Sequence, residues 1–222
     1  MKKPQWSFSS IKLFEQCPRK YYHLKVKKDY VDPPTSATVY GERFHEAAEF
    51  YVSGKEDLPK EFEFARAALD KLKEMPGEKH CEYEMGLTED LEPCSIKDPN
   101  VWWRGIADLA IVDGVDARVI DYKAGKSAKY ADKDQLELMA LAVFKHFPKV
   151  KRVRAALFFV IAKAFIKGEY LREQSPALWA KWMQRYNRVV LARDTNVWNP
   201  KTSGLCKAHC VVLSCPHNGR NM

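Results

Sequence analysis

The chain has 222 residues and a formal net charge of +8, with 46% apolar and 30% charged residues. That composition excludes a disordered or low-complexity chain and leaves room for a real core. No apolar run reaches the roughly 18 residues that a membrane span needs, and MKKPQWSFSS lacks the apolar stretch of a secretory signal. A cytoplasmic protein without membrane partners is expected, its six cysteines serving as thiols or metal ligands rather than disulfides.

Ser7 or Ser9 caps a first helix that runs through Ile11, Leu13 and Phe14 towards Cys17, with Tyr21 and Tyr22 read as its continuation. After a loop at 31–36, Tyr40, Phe44, Ala47, Ala48 and Tyr51 recur at helical spacing over about 38–52, and Gly54 stops the helix. A third helix is predicted over 61–75. The period then changes. Residues 81–87 alternate as a strand, 101–112 and 117–124 read as a hairpin about Asp113-Gly114, and 134–147 is a helix. A strand follows at 152–161, then a returning one at 165–170. Ser175-Pro176 opens a last helix, and a loop-rich tail begins near 194. The reading is a single α/β domain over 1–222: a mixed central sheet flanked by helices, with its core at about 38–192.

Basic residues cluster at Arg19–Lys28, Lys123–Lys129 and Lys149–Arg154. This suits nucleic acid as a partner, although each cluster also reads as a solvated face. Trp102, Trp103, Trp179 and Trp182 fall on core periodicities; Tyr21, Tyr22 and Tyr40 are candidate nucleic-acid contacts.

Val119 and Ile120 read as buried strand, yet Asp121 and Lys123 follow on one face of it. The hairpin places Asp108 opposite Asp121 or within about two residues of it, where facing Cβ atoms lie roughly 4.5–5.5 Å apart. Two such carboxylates repel unless a positive charge intervenes. Lys123 supplies one, and a divalent cation beside a phosphodiester would supply more. A surface ladder of mixed charges is the plainer alternative. The apolar flanks Ile106, Leu109, Ala110, Val119 and Ile120 argue against it, because charges among buried residues need a reason.

GIADLAIVDG and ARVIDYKAGK, followed by DQLELMALAVF, resemble the PD-(D/E)XK nuclease superfamily. Within it the sequence is most similar to RecB-type and CRISPR-associated exonucleases and related phage-encoded nucleases. The resemblance implies a restriction-endonuclease-like core. It also implies catalytic Asp108, Asp121, Lys123 and Gln135, and Mg²⁺ or Mn²⁺ held by His45, Asp108, Asp121 and the carbonyl of Tyr122. His45 lies in the Gly-x-x-x-His context of Gly41; its imidazole favours Mn²⁺. Leu138 and Met139 stand where members often carry a Tyr.

Cys206, Cys210 and Cys215 fall within ten residues of a tail that has little apolar periodicity. They argue for a metal site whose fourth ligand comes from elsewhere, Cys17 being the candidate. Cys-Pro-Arg-Lys-Tyr-Tyr with three late cysteines resembles the iron–sulfur branch of the same superfamily. There four thiolates hold a [4Fe–4S] cluster that joins segments at about 7–30 and 200–218. Structural Zn²⁺, with His209 or His217 as a ligand, is the alternative. Cys81 and Cys94 are expected only to pack.

The expected activity is metal-dependent DNA exonuclease action on single strands or DNA ends, in recombination, replication or processing. Phage or host recombination and replication proteins are candidate partners. The rival is a nucleic-acid-binding module, non-catalytic or structure-specific, with a structural metal cluster.

Overall fold

The computed structural model describes residues 3–129 and 131–221. Its helices, in chain order, are α1 (Phe8–Gln16), α2 (Pro18–Tyr21), α3 (Ser36–Val52), α4 (Arg66–Glu74), α5 (Asp134–His146), α6 (Ser175–Thr195) and α7 (Leu205–Ala208). The strands are β1 (Glu78–Leu87), β2 (Pro93–Cys94), β3 (Trp103–Asp113), β4 (Asp116–Lys123), β5 (Arg152–Phe159) and β6 (Ala164–Leu171). The chain forms two compact units, one from Thr35–Trp179 and the other from the two ends, up to Pro34 and from Ala180 onward.

In the Thr35–Trp179 unit the six strands form one sheet in the order β2-β1-β3-β4-β5-β6. Only the β4–β5 pair is parallel. A parallel pair needs a long crossover, and α5 supplies it. Thr35 caps α3 by accepting from the Thr38 backbone N–H at 3.2 Å. Its buried residues Phe44, Ala47, Ala48, Tyr51 and Val52 follow the i, i+3, i+4, i+7 spacing of a core-facing helix. They join Phe62 and Leu69 in a core laid on Leu109, Ile111, Ile120, Tyr122 and Phe158 of the sheet. The α5 residues lie outside that core and pack mainly on β5, so helices cover both faces.

Three local expectations shift. The helix expected over 61–75 opens as a 3-10 turn, Lys60–Ala65, before α4 begins. Residues three apart eclipse in a 3-10 turn, which buries Phe62 and Ala65 together. In the hairpin, Asp113 pairs with Asp116, so the turn is Gly114-Val115, one residue later than read. Gly114 takes φ 59° there, as the first position of a two-residue hairpin loop requires. The two-residue strand β2 was not foreseen.

In the unit made from the ends, Ser7 caps α1 and Ser10 reciprocates. The helix expected to continue to Tyr22 breaks at Cys17, which is extended (φ −162°, ψ 108°). The cause is Pro18, whose ring disfavours helical geometry in the residue before it. Cys17 then caps α2, its Sγ accepting from Lys20 N at 3.4 Å. A π-helical turn follows over Tyr22–Lys27. The later part of α6 packs Trp182 and Tyr186 on Trp6, and Arg185 donates to both oxygens of Glu15.

The four expected core tryptophans, Trp102, Trp103, Trp179 and Trp182, are buried. Tyr21 is buried and stacks on Trp198, Tyr22 also meets Trp198, and Tyr40 packs edge-on against Phe62. These three rings, read as nucleic-acid contacts, are engaged within the fold.

Candidate active site and thiol cluster

The β3–β4 ladder ends at the pair Leu109–Ile120, and Asp108 and Asp121 are the next residues in register. The Asp108 carboxylate takes over from the ladder: its Oδ2 accepts from the Tyr122 backbone N–H at 2.5 Å. Asp108 is thereby buried, at 7% exposure. His45, in the middle of α3 beside the buried Phe44, reaches the same place. Its Nδ1 lies 3.4 Å from Asp108 Oδ1 and its Nε2 lies 3.0 Å from the Tyr122 carbonyl oxygen. Both ring nitrogens face acceptors, an arrangement that suits imidazolium. Burial alone lowers the pKa of His45; the hydrogen bond to Asp108 and the charges of Asp108, Asp121 and Glu82 together carry it above the ordinary value.

Glu82 of β1 completes a trio that sequence reading missed. One potential ligand atom each from His45, Glu82 and Asp108 lies within 4.8 Å of the other two. Cys81 pairs with Leu109 and Tyr83 with Ala107, which sets Glu82 against Asp108. There Glu82 adopts φ 46°, a region that non-glycine residues seldom occupy outside functional or strained sites. Its Oε1 is buried without a hydrogen-bond partner among the described residues. Burial first, then the Asp108 charge, push its pKa up to about 7. An open hollow of about 530 Å³ adjoins the trio, walled by Glu42, Glu46 and Glu49 of α3.

Asp121 stands beside this trio at the end of β4 and is buried, at 4% exposure. Its Oδ1 accepts from Gln135 Nε2 at the start of α5, and its Oδ2 lies 2.6 Å from Lys123 Nζ. Alternation along β4 puts Asp121 and Lys123 on one side, as the spacing required. Burial and the Asp108 charge raise the Asp121 carboxyl to about 6, against the lowering effect of Lys123. The structure thus brings together His45, Asp108, Asp121, Lys123, Gln135 and the Tyr122 backbone. Three acids share a place with one imidazole and one ammonium, a donor set of hard oxygens and one nitrogen that fits Mg²⁺ or Mn²⁺. The orphaned Glu82 oxygen and the two raised carboxyls are what a missing positive charge produces.

In the unit made from the ends, Cys17, Cys206, Cys210 and Cys215 line one hollow, together with Arg19, Lys20, Lys201 and His217. The backbone N–H groups of Lys20 and Lys201 donate to Cys17 Sγ, at 3.4 and 3.5 Å, and that of Ser203 donates to Cys206 Sγ at 3.5 Å. Asn218, buried at 1% exposure, fastens the tail by donating to the carbonyls of Cys210 and Val212. The hollow, its thiols and its N–H donors fit a thiolate-ligated metal centre. Cys81 packs against the sheet core and Cys94 lies in β2, both in the Thr35–Trp179 unit.

No curated protein matches the sequence. A crystal structure of a "Putative exonuclease" from Eubacterium rectale is similar in fold. Its TM-score is 0.54 and its identity 14%, over 92% of this chain and 86% of that one. A crystal structure of SSO0001 aligns over 98% of this chain and 89% of that one, at 15% identity and a TM-score of 0.49. The family model of the PD-(D/E)XK nuclease superfamily matches residues 5–217, nearly the whole length. That match agrees with the mixed sheet, its flanking helices and the acid-x-Lys end of β4: the chain belongs to the PD-(D/E)XK nuclease superfamily.

Proposed function

We propose that the protein is a divalent-metal-dependent deoxyribonuclease that hydrolyses phosphodiester bonds from the ends of DNA, acting on single-stranded DNA. The observation that carries this reading is Asp121 and Lys123, side by side at the open end of β4, next to the His45–Glu82–Asp108 trio. His45, Asp108, Asp121 and the Tyr122 carbonyl would hold Mg²⁺ or Mn²⁺, and Glu82 joins them as a further carboxylate. The cation supplies charge stabilisation at the scissile phosphate. Gln135 fixes one oxygen of Asp121 and so aims the other at Lys123. Lys123 donates to the oxygen of the attacking water and so orients it, or deprotonates it once it has given up its own proton to solvent, and it faces the negative charge that develops on the phosphate. The cationic surface holds backbone phosphates without reading bases, so binding weakens steeply with salt.

Cys17, Cys206, Cys210 and Cys215 are proposed to ligate a [4Fe–4S] cluster that ties the two ends of the chain. Their shared hollow supports this. With that cluster the chain would join the iron–sulfur, RecB-like branch that its sequence resembles, where phage-encoded members occur. A cytoplasmic role in recombination, replication or DNA processing follows from that placement.

The test is digestion of end-labelled single-stranded, duplex and circular DNA with Mg²⁺, Mn²⁺ or chelator. Progressive shortening from ends that depends on metal supports the reading. Intact DNA in every arm, with protein that binds it, would establish a binding module instead.

A further inference from the structure

A groove of about 720 Å³ runs between α4 and the face of β4, β5 and β6. Its floor is apolar, from Ile120, Ala156, Phe158 and Val160, and its sides are cationic. Lys71, Arg118, Arg154, Lys163 and Lys167 line it against one acid, Glu169, which pairs with Arg154 at 2.9 Å. Lys71, Arg118, Lys163 and Lys167 make no ion pair among the described residues. Arg118 and Arg154 are register partners across β4 and β5, and like charges directly opposite one another destabilise a sheet. Glu169 offsets the charge of Arg154, and Arg118 is left to an anion from outside the chain.

The groove opens on the face of β4 that carries Arg118 and Ile120, opposite to the face of Asp121 and Lys123, and runs along the strand up to the level of Lys123. Lys123 is in register with Phe159, and Phe159 with Ala164, next to Lys163. From that level the cations descend through Lys167, opposite Ala156, to Arg118 and Arg154. Five strand residues separate Lys123 from Arg118, a distance of roughly 17 Å. Level with Phe158 and Tyr122, near the Lys123 end, lies Phe165, 41% exposed, with one ring face stacked on Phe158 at 4.3 Å and Lys167 Nζ 5.7 Å from its centroid.

We propose that this groove is a binding track for single-stranded nucleic acid, on the face of the sheet opposite Asp121 and Lys123. The unpaired cations take successive phosphates and Phe165 takes a base. The proposal rests on the nuclease reading and adds a second contact region to it. Charge distribution selects the occupant. Cations spread along the whole groove match a ligand with a charge at every unit, and an exposed ring on an open sheet face is a stacking platform for any base.

The experiment uses the full chain carrying Asp121→Asn, without metal, and measures the anisotropy of fluorescein-labelled oligothymidylate over a salt series. Replacing Arg118 and Lys167 together by Ala should weaken binding about tenfold and reduce the slope of log K against log salt by about 1.4, or 0.7 for each lost phosphate contact. Phe165→Ala should weaken binding about fivefold or more while leaving the slope unchanged. Lys71→Ala with Lys163→Ala provides a second pair of exposed positions if the first pair alters the melting temperature. Groove variants with an intact Asp121 should hydrolyse bis(p-nitrophenyl) phosphate as the parent does, since that substrate is too small to reach the groove. Unchanged affinity and slope in a folded double variant overturn the proposal. So does loss of binding to an acidic peptide alone, which would make the groove a protein-docking site. Failure of the parent to cleave anything defeats the nuclease reading, whereas the anisotropy series still decides the track.

Discussion

Glu82 faces Asp108 across β1 and β3, between the register pairs Cys81–Leu109 and Tyr83–Ala107, with its backbone at φ 46°. The strained turn of the strand holds a second carboxylate against the first. Repulsion between them raises the Glu82 carboxyl on top of the effect of burial. Glu82→Gln should therefore weaken Mn²⁺ binding by at least about tenfold and, without metal, raise the melting temperature. Calorimetric titration and thermal unfolding of the same sample check both. Unaltered Mn²⁺ affinity would remove Glu82 from the site.

The acids also set a pH dependence. Glu82 titrates near 7 and Asp121 near 6 in the folded chain, against roughly 4 in the unfolded one. Between those values the folded state binds more protons, so metal-free stability should fall as pH rises from about 4 to 7. His45, raised above its ordinary value by Asp108 after burial has lowered it, has the same sign. Its contribution is present below the unfolded value and lost as pH passes the folded one. Asp29, Asp57 and Asp116 are depressed by Lys27, Arg66 and Arg152 and act oppositely at acid pH. All three are exposed or half-exposed pairs that do not involve metal. Melting temperatures measured with and without saturating Mg²⁺ isolate the site: the gap should widen towards neutral pH. A gap independent of pH would contradict the assignment.

Lys123 pairs with Asp121 at 2.6 Å, so its substitution tests chemistry apart from binding. Lys123→Ala should lower single-turnover cleavage by about 100-fold or more with DNA affinity little changed. Lys123→Arg should rescue poorly, because a planar guanidinium does not replace a compact ammonium. Normal turnover at saturating DNA would reduce Lys123 to a phosphate contact.

The thiols separate into two classes. Replacing Cys17, Cys206, Cys210 or Cys215 by Ser should cost iron content, solubility and activity together, because ligation contributes folding free energy. Cys81→Ser and Cys94→Ser should change iron content little, since both lie in the sheet unit. Iron, sulfide and zinc analysis of anaerobically purified protein reads this directly. One zinc with no iron or sulfide would replace the cluster with the zinc alternative and leave the carboxylate site untouched.

Gly86 is fixed by close approach rather than by φ. A Cβ there would lie 2.7 Å from the Cys94 carbonyl oxygen and 2.8 Å from that of Ser95. Backbone cannot give way cheaply, so Gly86→Ala should destabilise by about 1–3 kcal/mol. Chemical denaturation measures it, and a neutral result would mean that the β2 edge relaxes freely.

Sequence alone determined the features that local periodicity writes. Alternation put Asp121 and Lys123 on one side of β4, helical spacing set the buried face of α3, and the hairpin signal brought Asp108 level with Asp121. Period-two and period-3.6 patterns are properties of a short stretch, legible wherever one face is buried. The resemblance added His45 and Gln135, which no local pattern links to β4, and the cluster type, while the spacing of Cys206, Cys210 and Cys215 already pointed to a metal site. Only the tertiary structure decided the rest. Glu82 and Glu84 are both acids in an alternating strand. Choosing Glu82 required the β1–β3 register, which the long connection between those strands leaves open in the sequence. The parting of β3 from β4 beyond Leu109–Ile120 turned Asp108 into the ladder's gap, and strand alternation cannot foretell where a ladder stops. The cationic groove likewise arises from three strands and a helix whose basic residues are scattered from Lys71 to Lys167. Charges far apart in sequence become one surface only after the sheet order is fixed.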